Sequence, residues 1–196
     1  HMTIFPLVSD DRRLEMLTPE PEKVRVLIDT DAANEVDDQF AITWALLSLD
    51  RLDVEAIVAE PFSREYHKEY LLEAMRAEAD PSTNEEIDNA AAWLQRLKAA
   101  GIEPSEVTFE TAAEGMELSF SEIETLMRKL GMSSTGIAFR GADRFMDSPD
   151  DIVESEGAHR IIEAAMSDDD RLLHVVAIGA VTNIAAALLI EPEIAT

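Results

Sequence analysis

The sequence has no cysteine and only four lysines (Lys23, Lys68, Lys98 and Lys129) in 196 residues. The lack of cysteine excludes a disulfide framework and any metal site built from thiolates. Sixteen basic residues against 41 acidic ones give a formal charge of −25 at pH 7. Because so acidic a surface repels phosphate groups, we expect no nucleic-acid partner.

Long apolar runs are also missing. No stretch approaches the roughly 18–20 apolar residues that span a bilayer. The first residues lack the basic and apolar regions of a signal peptide. We therefore expect a cytoplasmic protein without a membrane partner. Apolar residues still make up 46% of the chain, which is enough for a hydrophobic core.

Strand-like and helix-like patterns alternate near the start of the chain. A β-branched strand at 24–28 and a second strand at 54–59 enclose a predicted helix. We expect the apolar face of that helix to point inward: Phe40, Ile42, Ala45, Leu46 and Leu49. A strand, a helix and a strand in about 36 residues form a βαβ unit and imply a parallel sheet.

The same alternation returns in the last third of the chain. A short strand at 136–141 precedes a helix at 155–166, and a strand at 172–178 precedes a final helix at 182–190. The run at 172–178 is apolar almost throughout, which predicts burial on both faces.

Between these two parts, residues 64–131 show helical spacing, with predicted helices at about 65–78, 84–100 and 119–130. The predicted fold class is therefore α/β. We expect a Rossmann-like, mostly parallel sheet flanked by helices, formed by a single domain over residues 1–196. Residues 64–131 would be a helical insertion within that domain.

Acidic residues crowd together at 29–38, where four aspartates and a glutamate lie between a strand and a helix. The carboxyl ends of parallel strands are where ligands bind in open α/β sheets. Crowded carboxylates need protons or a cation, and oxygen ligands favour calcium or magnesium. Helix capping would account for Asp37 and Asp38. It does not account for Asp29 and Asp31, which are poor strand residues.

Three motifs in chain order carry a family resemblance. They are Asp-Thr-Asp at 29–31 with the aspartate pair at 37–38, Arg-Gly-Ala at 140–142, and Gly-Ala-Val-Thr-Asn-Ile-Ala at 179–185. Together they resemble the nucleoside hydrolases of the inosine–uridine-preferring type. The resemblance extends over residues 24–60 and about 137–194.

The resemblance implies a calcium-dependent enzyme of nucleoside salvage, which cleaves the N-glycosidic bond of a nucleoside-like substrate to free base and ribose. Asp31 would bind Ca²⁺ and act as the general base on a calcium-bound water. Asp38 and the backbone carbonyl of Thr182 would be further calcium ligands. A cation that acidifies water beside a carboxylate base is a sound arrangement for hydrolysis.

The resemblance also implies roles outside the metal site. Asp37 and Asn183 would bind the substrate, and Asp29 would orient the loop behind the calcium ligands. We expect the protein to form a homo-oligomer, either a dimer or a tetramer.

Two features depart from the family pattern. Glu60 follows the second strand, where the family usually has an asparagine. The family's remaining ligands lie in a carboxyl-terminal half, and this sequence ends at Thr196. We therefore expect the amino-terminal portion of a larger protein, whose 196-residue form need not turn over substrate by itself.

Two other functions remain open. A strand followed by Asp-x-Asp also occurs in phosphatases of the haloacid-dehalogenase type, with Asp29 as the nucleophile. Those enzymes usually carry Thr or Val where this chain has Ala33. The other possibility is a non-catalytic fragment that binds only calcium or ribose.

Overall fold

The computed structural model describes residues 5–18, 22–76 and 85–196. The chain divides into two compact units. The first unit is formed by His1–Phe62 together with Ala112–Thr196, and the second by Ser63–Thr111.

A parallel sheet organises the first unit. Its strands are β1 (Val24–Thr30), β2 (Leu52–Ala59), β3 (Ala138–Arg140) and β4 (Leu173–Ala177), in the order β3-β2-β1-β4. All three neighbouring pairs are parallel. The predicted α/β class with a parallel sheet is therefore confirmed.

Helices cover both faces of this sheet. The helices of the first unit are α1 (Asp10–Met16), α2 (Val36–Leu47), α5 (Ala112–Lys129), α6 (Glu156–Ala165) and α7 (Thr182–Ile190). Those of the second unit are α3 (Tyr66–Arg76) and α4 (Glu85–Ala99). Short 3₁₀ helices occupy Pro104–Glu106 and Pro192–Ala195.

Two hydrophobic cores form because side chains alternate along the strands. Ile28 of β1 belongs to the core under α2 and α5, with Ile42 and Ile123. Leu27 faces the other core under α6 and α7, which includes Ile161. This packing fixes β1 in the middle of the sheet, where its carboxyl end becomes the centre of the site.

Helix α5 belongs to the core of the first unit, where Met116, Ile123 and Met127 are buried. The second unit has its own small core, which includes Leu71 and Leu94. The predicted insertion at 64–131 thus combines the second unit with a core helix of the first. Residues 77–84, which include the end of the first predicted helix and the start of the second, lie outside the described part of the chain.

Strand β4 is present as predicted, but the prediction that both its faces are buried is wrong. In the described structure it pairs only with β1 and lies at the edge of the sheet. Its residues are half-buried or exposed, and Val176 is 41% exposed. An apolar run shows that a strand prefers an apolar environment, but not how many neighbours cover it.

The orientation of α2 also differs from the prediction. Ile42, Ala45 and Leu46 are buried as expected, whereas Phe40 is 72% exposed. Leu49 lies beyond the end of α2 and is 39% exposed. Helical spacing did not select the correct face because α2 has apolar residues on both sides.

Candidate functional site

The carboxyl ends of three neighbouring strands meet at the predicted site. The Glu60 amide, just after β2, donates a 2.7 Å hydrogen bond to the Thr30 carbonyl at the end of β1. The Ile178 amide, just after β4, donates a 2.9 Å bond to the Asp29 carbonyl. Parallel pairing therefore brings Asp29 and Glu60 together, although they are 31 positions apart in sequence.

Asp29 and Glu60 form a buried pair of carboxyl groups, and neither is exposed to solvent. Asp29 Oδ2 and Glu60 Oε2 are buried without another hydrogen-bonding partner in the described structure. Burial raises the pKa of both groups, and the neighbouring Asp29 raises the pKa of Glu60 further. We conclude that Glu60 holds a proton and donates it in a hydrogen bond to Asp29.

Asp31, which is half-buried, and Asp38, which is 4% exposed, belong to the same acidic cluster. Asp31 Oδ2 accepts a 3.1 Å hydrogen bond from Asn34 Nδ2, and Asp38 Oδ1 accepts a 2.5 Å bond from Thr30 Oγ1. Burial raises the pKa of both aspartates, and nearby acids, including Asp37, add to the effect. Asp37 itself is exposed in the first turn of α2.

Cationic side chains are lacking around these acids. In residues 5–18, 22–76 and 85–196, no lysine, arginine or histidine forms an ion pair with Asp29, Asp31, Asp38 or Glu60. The same residues contain no group of three or more His, Cys, Asp or Glu side chains placed to hold a metal. A cation bound by Asp31 and Asp38 would therefore need further oxygens from the backbone, water or substrate. Calcium tolerates such mixed coordination.

Asn183 connects the elements around the buried pair. Its Nδ2 donates to Asp29 Oδ1 (3.0 Å) and to the Ala59 carbonyl (3.4 Å). Its Oδ1 accepts from the Ala142 amide (2.7 Å) and from Ser155 Oγ (3.0 Å). Its backbone amide also donates to Glu60 Oε1 at 3.3 Å.

Asn183 is fully buried, and these bonds use both amide hydrogens and both acceptor positions of its side chain. The sequence predicts that Asn183 binds the substrate, but its buried side chain is not accessible to one. Asn183 instead positions Asp29 and Glu60. Thr182, the predicted source of a carbonyl ligand, precedes it as the first residue of α7 and is also buried.

Close backbone approach explains two glycines of the motifs. A Cβ at Gly179 would lie 2.9 Å from both the amide nitrogen and Oδ1 of Asp31. A Cβ at Gly141 would collide with the Ala59 carbonyl and the Asn183 side chain. Both motifs therefore need glycine so that neighbouring loops can pack against the acidic cluster.

Glu60 is the residue whose role sequence reasoning missed. From the sequence, Glu60 is only a departure from the family pattern. An acidic residue directly after a strand that pairs with β1 was the available signal, but its significance depends on the register of β1 and β2. Conversely, the complete burial of Asp29 argues against its action as a phosphatase nucleophile, because an incoming phosphoryl group cannot reach it.

Comparison with known families agrees with the geometry. Residues 25–193 match the family described as "Cellulose-binding Sde182, nucleoside hydrolase-like domain". No curated protein and no solved structure matches the chain. Within the described residues, every helix is too short or too polar to cross a bilayer.

Proposed function

The chain belongs to the cellulose-binding Sde182, nucleoside hydrolase-like family, and from this premise we propose that it hydrolyses an N-glycosidic bond. The proposed substrate is a ribonucleoside of the kind cleaved by inosine–uridine-preferring enzymes, and the products are free base and ribose. The observation that carries this proposal is the group of four carboxyls, Asp29, Asp31, Asp38 and Glu60, at the carboxyl end of β1 and β2.

The donor chemistry of the site fits a calcium ion. Asp31 and Asp38 supply carboxylate oxygens whose charge no described cationic side chain neutralises, and the backbone carbonyl of Thr182 would add a third oxygen. When bound, calcium would acidify a water molecule and hold the hydroxyls of the sugar. Mutual repulsion between the two aspartates would be relieved by the same ion.

Each acid has a separate task in this proposal. Asp31 removes a proton from the attacking water, for which its partial burial and raised pKa are suited. Asp37, exposed in the first turn of α2, accepts hydrogen bonds from the sugar hydroxyls. The negative charges of Asp38 and of the buried Asp29 stabilise positive charge that develops on the sugar ring as the bond to the base breaks.

Release of free base from inosine and uridine, measured by chromatography with calcium present, tests this activity in the 196-residue chain. We expect Asp31→Asn to lower the rate by about 10²–10⁴-fold, with unchanged circular dichroism. Asp50→Asn is the matched control because Asp50 is exposed in the turn after α2. Equal rates for the wild type and Asp31→Asn, or no base release by the wild type, would reject the proposal.

A second candidate function is sugar binding without hydrolysis, and a cleft in the second unit favours it. The cleft has a volume of about 270 Å³ and is lined by Tyr66, His67, Tyr70, Asn89, Ala90 and Trp93. Aromatic faces pack against the apolar faces of sugar rings, while His and Asn side chains can bind hydroxyls. The matching family is also described as cellulose-binding.

Sedimentation of the chain with crystalline cellulose tests this candidate. Tyr66 is 54% exposed, so we expect Tyr66→Ala to lower the bound fraction without unfolding the second unit. Leu72→Ala is the control, because Leu72 lies on the same helix but does not line the cleft. Equal binding by both variants, or no binding by the wild type, would exclude the cleft as a cellulose site.

A further inference from the structure

Helix α2 has a second apolar face that points away from the sheet. Four of its side chains are 62–76% exposed: Val36, Phe40, Trp44 and Leu47. Their spacing of four, four and three residues places them in one line along the helix. We name these four residues the α2 stripe. A helix that is apolar on both sides is typical of one that is covered on both sides.

We propose that the α2 stripe is the contact surface of a homodimer, in which α2 packs antiparallel against α2 of a second copy. The stripe has an aliphatic residue at each end and two aromatic residues in the middle. Its pattern therefore reads similarly in both directions, as a two-fold interface requires. The two-fold axis would place Phe40 opposite Trp44 of the partner subunit.

The exposed area is sufficient for such a contact. A buried aromatic side chain removes about 150–250 Å² from solvent, so the whole stripe at its observed exposure offers roughly 500 Å² per copy. Two copies would bury about 1,000 Å², which is the lower limit for a specific interface. We therefore expect a dissociation constant in the micromolar range rather than an obligate dimer.

The charge distribution also suits a second copy. The half-buried residues beside the stripe are uncharged: Gln39, Ala41, Thr43 and Ser48. The exposed acidic residues lie near its two ends: Glu35 and Asp37 flank Val36, and Asp50 follows Leu47. Like charges would thus be kept away from the centre of a symmetric contact. Because each copy carries a formal charge of −25, added salt would reduce repulsion and strengthen the dimer.

Sedimentation velocity of the 196-residue chain over a range of concentrations tests the proposal. We expect a monomer–dimer equilibrium that tightens in high sodium chloride. Replacement of an aromatic residue at the centre, Trp44→Gln, should raise the dissociation constant roughly thirtyfold or more. Leu14→Gln is the matched control, because Leu14 is 65% exposed on α1, and it should leave the constant unchanged.

Fluorescence gives a second readout in the variant Trp93→Phe, which keeps Trp44 as the single tryptophan of the two in the chain. We expect its emission to shift to shorter wavelength as the concentration rises. A chain that stays monomeric, or a dimer that Trp44→Gln leaves intact, would overturn the proposal. So would weakening by salt, which indicates contacts between opposite charges, or a short emission wavelength at every concentration, which indicates cover by the same chain.

Discussion

The acidic residues at the two ends of the parallel sheet differ in whether they have cationic partners. At the amino end of β1, Arg25 is 2% exposed and pairs with Glu55 at 2.5 Å. Arg25 also donates to the Ala164 carbonyl and to Ser167 Oγ, each at 2.8 Å. Hydrogen bonds from Arg171 lower the pKa of Asp169 nearby. Every described acid in this network has a cationic partner.

At the carboxyl end of the same strand, the acids have raised pKa values and no cationic partner among the described residues. Uncompensated charge of this kind costs stability, so a sequence selected only for stability would not keep it. This difference between the two ends supports our proposal that the acidic cluster serves binding or chemistry, whereas the arginine network stabilises the fold.

The largest expected effect on stability comes from disrupting the arginine network at the amino end of β1. Arg25→Met should lower the free energy of unfolding by about 3–5 kcal/mol, because it removes the nearest partner of the largely buried Glu55 carboxylate, which then keeps only Arg160 at 3.9 Å. Urea unfolding followed by circular dichroism measures this loss.

Arg12→Met is the control for that experiment, because Arg12 pairs with Glu15 on the exposed surface of α1. Its loss should cost at most about 1 kcal/mol. Similar losses for the two variants would show that the Arg25 network is not a special source of stability.

At pH 5.5 a smaller effect, of opposite sign, is expected at the carboxyl end from Glu60→Gln. In the unfolded chain, Glu60 loses its proton above its ordinary pKa of 4.5. Because the pKa of Glu60 is raised in the folded protein, the folded protein keeps that proton. The free energy of unfolding of the wild type should therefore fall as the pH rises above that value. Glutamine imitates the protonated acid and removes this dependence.

Unfolding of both proteins between pH 5.5 and pH 8.5 should show the Glu60→Gln variant to be more stable than the wild type, by a difference that grows by about 1.4 kcal/mol for each pH unit. The exposed Glu103→Gln provides the control and should show a constant difference. A gain that is absent, or that shrinks as the pH rises, would contradict the shared proton between Glu60 and Asp29.

The smallest expected effect on stability comes from Asp38 of the acidic cluster. With a chelator present, Asp38→Asn should raise the free energy of unfolding by about 0.5–1 kcal/mol, because it removes a partly desolvated charge and keeps an acceptor for Thr30. Asp50→Asn, outside the cluster, should change it by less than about 0.5 kcal/mol. Thermal unfolding that ranks these variants in the reverse order would mean that Asp38 is already compensated.

Local sequence patterns predicted the sheet and the position of its acids. The β-branched run of β1 ends at the aspartates as predicted, whereas the close approach of the glycine motifs to them became visible only in the structure. The capping of α6 by Ser155, which accepts a 3.0 Å bond from the Ala158 amide, was also predictable from its residue type.

Features that depend on tertiary neighbours could not be predicted in the same way. The exposure of Phe40 depends on which of two apolar faces of α2 meets the sheet. The exposure of β4 depends on which strands lie beside it. Similarly, Glu60 becomes part of the site only through the register of β1 and β2, and Asn183 loses its access to substrate through burial.

Calcium binding measured by isothermal titration calorimetry tests the central claim, that the uncompensated acids at the carboxyl end of β1 form a cation site. We expect the 196-residue wild type to bind one calcium ion, and both Asp31→Asn and Asp38→Asn to bind it at least tenfold more weakly. Asp50→Asn should bind like the wild type. No binding by the wild type, or binding by the two site variants that is as tight as that of the wild type, would contradict the account.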